Sequence, residues 1–231
     1  MSEILKIVHT HFDEPISIDD EVVMVLVEEN PNEFYYVVQE LMKQINGESG
    51  DFVFTINEKI INPEKVGTII SDVFNFDIND KKILNLIYKK LEKSSYDSDI
   101  VSQISLVNNQ VINYLDTLIF KENFSLEYEE ISPIEIFKAS SLKIRNDYEN
   151  LVEKIVSYIN LMVELKNCKF FVFVNLKSVI NNDELLQIYK HCKLEKVGLL
   201  LIESSERSRL KNEKMVIITE DLCEILVNSS S

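Results

Sequence analysis

Glycine and proline are scarce in this chain, at four each in 231 residues, and tryptophan is absent. So few turn-formers exclude a turn-rich sandwich or barrel and favour long regular elements. The glycines (Gly47, Gly50, Gly67 and Gly198) never cluster. A loop that wraps a phosphate needs several of them together, with a lysine and a hydroxyl. The three cysteines, Cys168, Cys192 and Cys223, are far apart and form no C-x-x-C pair. They read as small buried residues, not as a disulfide framework or a zinc site. No apolar run approaches the roughly 20 residues of a membrane span. The N-terminal "MSEILKIVHTHFDEP" carries acids and histidines where a signal peptide would be apolar. A cytoplasmic protein is expected.

Positive charge is also in short supply, with 24 bases against 39 acids and a net charge of −15. The deficit is uneven. Residues 1–64 hold 14 acids and 3 bases, residues 65–132 hold 11 and 7, and residues 133–231 hold 14 and 14. A cationic surface must therefore come chiefly from the last segment. Local potential, not the sum over the chain, governs what such a surface binds.

What is present is a hydrophobic fraction of 45%, enough for a real core. The length fits one compact domain or a domain with a sizeable insertion. "ILKIVHTHF", "EVVMVLVEEN" and "DFVFTI" read as strands, with a helix after the second that Asn30 caps and Asn46-Gly47 ends. The first 60 residues thus suggest a hairpin leading into a β-α-β unit. In "NPEKVGTIISDVFNF", Val66, Ile69, Ile70, Val73 and Phe74 share a helical face. "NDKKILNLIYKKLEK" reads as a helix capped by Asn79. A third helix over about 96–121 spaces Ile100, Ile104, Val107, Val111, Tyr114 and Leu118 at intervals of 4, 3, 4, 3 and 4, a coiled-coil-like seam. Alternation then resumes: a helix over "NDYENLVEKIVSYINLMVELKN", the strand "KFFVFVN", a helix over "NNDELLQIYKHCK", and the strands "VGLLLIES" and "EKMVIIT". The fold class is α/β, a parallel-sheet head over 1–64 and 133–231 interrupted by an α-helical leg over 65–132.

Catalytic signatures are missing. After "VVMVLV" comes "EENPNEF", without glycine or lysine, and after "FFVFV" comes Asn175. His9 and His11 alternate on an expected strand, but two ligands rarely make a metal site. His191 sits beside Cys192 on a helix, where adjacent residues point apart.

The most unusual stretch is "ENFSLEYEEISPIEIFKASSLKIR". Glu122 to Glu135 contains five acids and no base, whereas Ile136 to Arg145 contains three bases and no acid. If "SLEYEEI" is extended, Glu127 and Glu129 face one way and Glu130 the other. Such a cluster suits a hard cation that takes oxygen ligands, such as Ca²⁺. It also suits, and on spacing alone favours, a solvated acidic edge that discourages strand pairing. On the basic side, Ser132 and Pro133 begin a short helix that ends near Lys138. "LKIR" reads as extended, with Lys143 and Arg145 on one side, and Lys154 follows on the next helix. These bases are phosphate ligands or ordinary solvated charges.

Four stretches resemble a known family: "DEPISIDDEVVMVLVEE", "FNFDINDKKILNLIYKKLE", "LEYEEISPIEIFKASSLKI" and "FFVFVNLKSVINNDELLQIYKHC", with "VGLLLIE" after them. In order and spacing the chain resembles the spacer-acquisition proteins of type II-A CRISPR loci. The resemblance implies a P-loop-like head that lacks its phosphate loop. It implies a calcium-binding homotetrameric ring without catalytic activity. The ring threads double-stranded DNA ends through a lysine-lined hole and works alongside the integrase pair and the effector nuclease of the locus. Carried over residue by residue, the family's lysines fall on Lys138, Lys143 and Lys154. Its carboxylates fall on Glu127, Glu129 and Glu130. Arg145 joins the first group from its place beside Lys143. Ser125 stands where the pattern often has an acid, which leaves a calcium site short of one ligand. Two rivals stay open: a degenerate P-loop-like nucleotide hydrolase or kinase, and a protein–protein adaptor without DNA contact.

Overall fold

A computed structural model describes residues 4–227. Contacts divide the chain into two units. The first runs to Phe76 and resumes at Asp147, and the second is Asp77–Asn146.

The first unit begins with β1 (Leu5–Val8), β2 (Ile16–Ile18), β3 (Val23–Glu28), α1 (Pro31–Ile45), β4 (Val53–Ile56), β5 (Lys59–Ile60), α2 (Pro63–Val66) and β6 (Gly67–Ile70). The chain then passes through the second unit, with α3 (Lys81–Ser95), α4 (Val101–Ile119) and α5 (Pro133–Ala139). It returns with α6 (Leu151–Lys166), β7 (Phe170–Val174), α7 (Asn182–Glu195), β8 (Gly198–Glu203), β9 (Glu213–Ile218) and β10 (Glu224–Val227). A six-stranded sheet has the order β10-β9-β3-β8-β7-β6, and a four-stranded sheet the order β2-β1-β4-β5. All neighbours in the large sheet are parallel except β9 and β10. The small sheet is antiparallel throughout. The architecture is mixed α/β.

β3, β7 and β8 are buried at every position. That matches their uninterrupted apolar runs, because a strand covered on both faces has no polar side to alternate. One face packs Met24, Leu26, Phe170 and Leu200 against Val37 and Leu41 of α1 and Phe54 of β4. On the other, Tyr158 of α6 meets Phe171 edge-on at 6.5 Å. α1 is capped by the Asn30 side chain, which accepts from the N–H groups of Asn32 and Glu33. Those are the helix-start donors that a phosphate would otherwise take. The P-loop-like description thus gains no support at this helix start.

Several expectations need correction. β4 does not return to the sheet of β3 and so makes no β-α-β unit. It pairs antiparallel with β1, its partners including Ile7 with Phe54. Residues 63–70 are not one long helix. Four residues of helix give way to β6, which pairs in parallel with β7. Val66, Ile69 and Ile70 mimic helical spacing, but Gly67 fixes the outcome: a Cβ there would stand 2.3 Å from Cζ of Phe170. This and the packing of Phe76 on Tyr158 at 5.4 Å move the first boundary from 64/65 to 76/77. The second boundary moves from 132/133 to 146/147, which gives α5 to the helical unit. β1 ends at Val8, so His9 and His11 do not share a strand face. β10, absent from the sequence reading, adds an antiparallel edge.

In the second unit, α3 is capped by Asp80 and not Asn79: the Asp80 carboxylate accepts from the N–H of Ile83. α4 covers Val101–Ile119 with no side-chain cap, and none of its residues is buried. The heptad-like seam exists, but no other element within the unit closes over it.

Candidate nucleic-acid interface

The sign change found in the sequence falls on the second unit. Glu127, Glu129 and Glu130 lie on a stretch without regular structure, and each is exposed. Between them, the Tyr128 hydroxyl donates to Asp116 Oδ1 at 2.7 Å, which lifts the Tyr128 phenol above its usual range. Among the described residues, no three His, Cys, Asp or Glu side chains come together to hold a metal ion. Calcium asks for six to eight oxygens. The three glutamates therefore do not form a fitting cage by themselves.

α5 begins at a capping box. Ser132 Oγ accepts from the N–H of Glu135, and Glu135 Oε2 accepts from the Ser132 N–H at 2.7 Å and its hydroxyl at 2.8 Å. These bonds hold the Glu135 carboxyl below its ordinary range. Glu135 is thus committed to starting the helix. Lys138 is exposed in the last turn of α5, where a cation complements the helix dipole. Ser141 turns the chain in the left-handed region at φ 52°, and the Leu142 N–H returns to the carbonyl of Phe137 at 2.9 Å.

The next residues are pinned from the start and middle of α3. The Tyr88 hydroxyl donates to the Leu142 carbonyl at 2.8 Å, and its ring lies 6.0 Å from that of Phe137. Asn79 grips Ile144 twice: its Nδ2 donates to the Ile144 carbonyl at 3.0 Å, and its Oδ1 accepts the Ile144 N–H at 2.8 Å. Lys143 and Arg145 flank this clamp, exposed on either side of the half-buried Ile144. The sequence reading located the two bases but took Asn79 for a helix cap and gave Tyr88 no role. Pairing over 65 positions leaves no local trace.

Lys154 has a different place. It belongs to the first unit, where its Nζ donates to the Phe76 carbonyl at 2.6 Å and lies 4.1 Å from the centre of the Phe76 ring. Its charge is already engaged. The structure therefore groups Lys138, Lys143 and Arg145 on one unit and sets Lys154 on the other.

A CRISPR-associated protein of Enterococcus faecalis, Csn2, is 24% identical over 192 residues, spanning 83% of this chain and 86% of that protein. The Csn2 of Streptococcus agalactiae is 24% identical over 136 residues, 58% of this chain and 62% of that protein. Among solved structures, a nucleotide-free ATP-binding cassette of an ABC transporter matches at 14% identity with a TM-score of 0.46, over 96% of this chain and 90% of that one. That score leaves fold and ligand undecided. The Cas_Csn2 family model, CRISPR-associated protein, matches residues 44–222, from the end of α1 to the last turn before β10 and across the whole second unit; the chain belongs to the Csn2 family of CRISPR-associated proteins.

Proposed function

We propose that the protein is a non-enzymatic ring that binds double-stranded DNA ends during CRISPR spacer acquisition. Four copies bring the segment from Lys138 to Arg145 to a shared axis. One observation carries this reading. Lys138, Lys143 and Arg145 are exposed, and none makes a salt bridge or side-chain hydrogen bond among the described residues, yet the backbone between them is clamped by Asn79 and Tyr88. Charges held in place and left unpaired suit an anionic partner, because binding then orders little that was mobile. Lysine and arginine on phosphates position a duplex without reading its sequence.

Ring formation is supported by α4, where Val107, Tyr114 and Leu118 are 38%, 64% and 43% exposed along one seam. An apolar stripe of this kind is stabilised by a second copy. Calcium belongs to the same proposal through the exposed acidic run. Because the three glutamates do not converge within one chain, further oxygens must come from elsewhere in the assembly. The integrase pair and the effector nuclease of the locus are the expected partners.

Gel shifts of linear against covalently closed circular duplex test the proposal. Linear DNA shifts and closed circles do not. Engaging about 6–10 phosphates, the complex loses roughly 10³- to 10⁵-fold in affinity between 50 and 200 mM salt. Equal binding to both forms rules out loading at ends, and no shift at low salt favours an adaptor without DNA contact. Gel filtration with and without chelator tests the calcium. An unchanged mass and unchanged DNA binding would remove it from the proposal.

A further inference from the structure

The loop after β1 carries a histidine held between carboxylates at the carboxyl edge of the large sheet. His11 Nε2 lies 2.9 Å from Oε2 of Glu28, the last residue of β3. Its Nδ1 lies 3.3 Å from Oε2 of Glu33, in the first turn of α1. The His11 side chain is 11% exposed, Glu28 is fully buried and Glu33 is 31% exposed. A neutral imidazole has one N–H and can serve only one of the two acceptors, whereas the imidazolium serves both. Glu28 Oε1 has no hydrogen-bond partner. His11 is thus the side chain that answers the Glu28 charge, and a buried charge without a partner is costly.

We propose that His11 is a proton-operated latch, which as imidazolium bridges Glu28 and Glu33 and fastens the loop between β1 and β2 to the large sheet. The latch opens when the proton leaves. The neighbouring groups fit this. His9 Nδ1 accepts the His11 backbone N–H at 3.0 Å, which fixes His9 as the tautomer with hydrogen on Nε2, turned toward the Tyr36 hydroxyl at 3.3 Å. From β10, Glu224 accepts the N–H of Asp13 at 2.8 Å, so the same loop is also tied to the edge strand. The hydrogen bond from Glu28 raises the His11 pKa above its ordinary 6.5, against the burial of the ring, and the charges of Glu28, Glu33 and Glu224 add to the rise. A group raised on folding contributes stability below its unfolded pKa and loses it as pH climbs through the folded value. The loop is therefore fastened in mildly acidic solution and freed at alkaline pH. This inference does not depend on DNA binding.

Imidazole nitrogen NMR on the full chain, followed by amide exchange across a pH series, tests it. At mildly acidic pH both His11 nitrogens carry hydrogen, and the ring titrates above 6.5. Amides of residues 10–14 and of β10 then lose protection as pH passes that point, beyond the roughly tenfold rise per pH unit of base-catalysed exchange. E33Q moves the step to lower pH, and H11Q removes it. A His11 ring singly protonated at pH 6, or an identical step in H11Q, overturns the latch. If H11Q fails to fold, the wild-type and E33Q titrations still decide.

Discussion

The two units of this protein treat charge and apolar surface in opposite ways. In the first, even ionised groups are enclosed and answered. Lys177 Nζ meets both Glu213 oxygens at 2.8 Å and the Ser208 carbonyl at 2.9 Å, and the Tyr189 hydroxyl donates to Glu213 at 2.6 Å. In the second, Lys138, Lys143 and Arg145 stand in solvent and no residue of α4 is fully buried. In the proposed function, these exposed cations and the half-exposed α4 are the surfaces that meet a partner.

This contrast can be broken or sharpened, beginning where the effect is largest. K177M removes the cation that the buried Glu213 side chain faces. It should cost about 3–5 kcal/mol in denaturant unfolding, the usual range for breaking a buried pair. A loss under about 1 kcal/mol would mean that water reaches the network and that the first unit is less closed than it looks.

Next comes K138E/K143E. The double reversal should weaken binding of linear duplex at least about a hundredfold, since each lost phosphate contact removes a counterion-release contribution. The circular dichroism melt should stay unchanged, because both residues are exposed. A variant that binds normally would show that the clamped segment is not the phosphate surface.

E203Q gives a smaller effect with a defined pH window. Burial pushes the Glu203 carboxyl up to about 7, partly offset by the Lys177 N–H that its Oε1 accepts. Folding therefore favours its protonated form. That contribution is full below the ordinary 4.5 and fades as pH rises to about 7. E203Q, which cannot ionise, should be more stable than wild type by about 1 kcal/mol at pH 8. The two should converge near pH 5. Parallel melting curves across that range would contradict the assignment.

The smallest effect on stability belongs to L118E on α4. Being exposed, Leu118 should change the unfolding free energy of the chain by less than about 0.5 kcal/mol. The mass in solution should nevertheless fall, as measured by light scattering. An unaltered mass would leave the seam of α4 without a role in assembly.

Much of the first unit was legible from residue order. Uninterrupted apolar runs marked β3, β7 and β8 and Asn30 marked the start of α1, as Ser132 did for α5 in the second unit, because capping is decided within three or four residues. Where the reading failed, the competing signal was distant. Residues 67–70 kept helical spacing until Phe170 claimed the space beside Gly67. β4 was recognisable as a strand, but its partner β1 lies some 50 residues away in the chain. For the candidate site, composition exposed the basic segment and its acidic neighbour. It could not reveal that Lys154 spends its charge on the Phe76 carbonyl.

By itself, then, the sequence determined the long apolar strands and the capped helices, where the cations lie along the chain and the family to which the order of its pieces points. All of these depend on neighbours within a few positions or on their succession. Tertiary structure decided which strands pair, which charges remain in solvent and which side chains hold the basic segment still. Those outcomes depend on hydrogen bonds and close contacts between residues dozens of positions apart, such as Asn79 with Ile144 and Gly67 with Phe170.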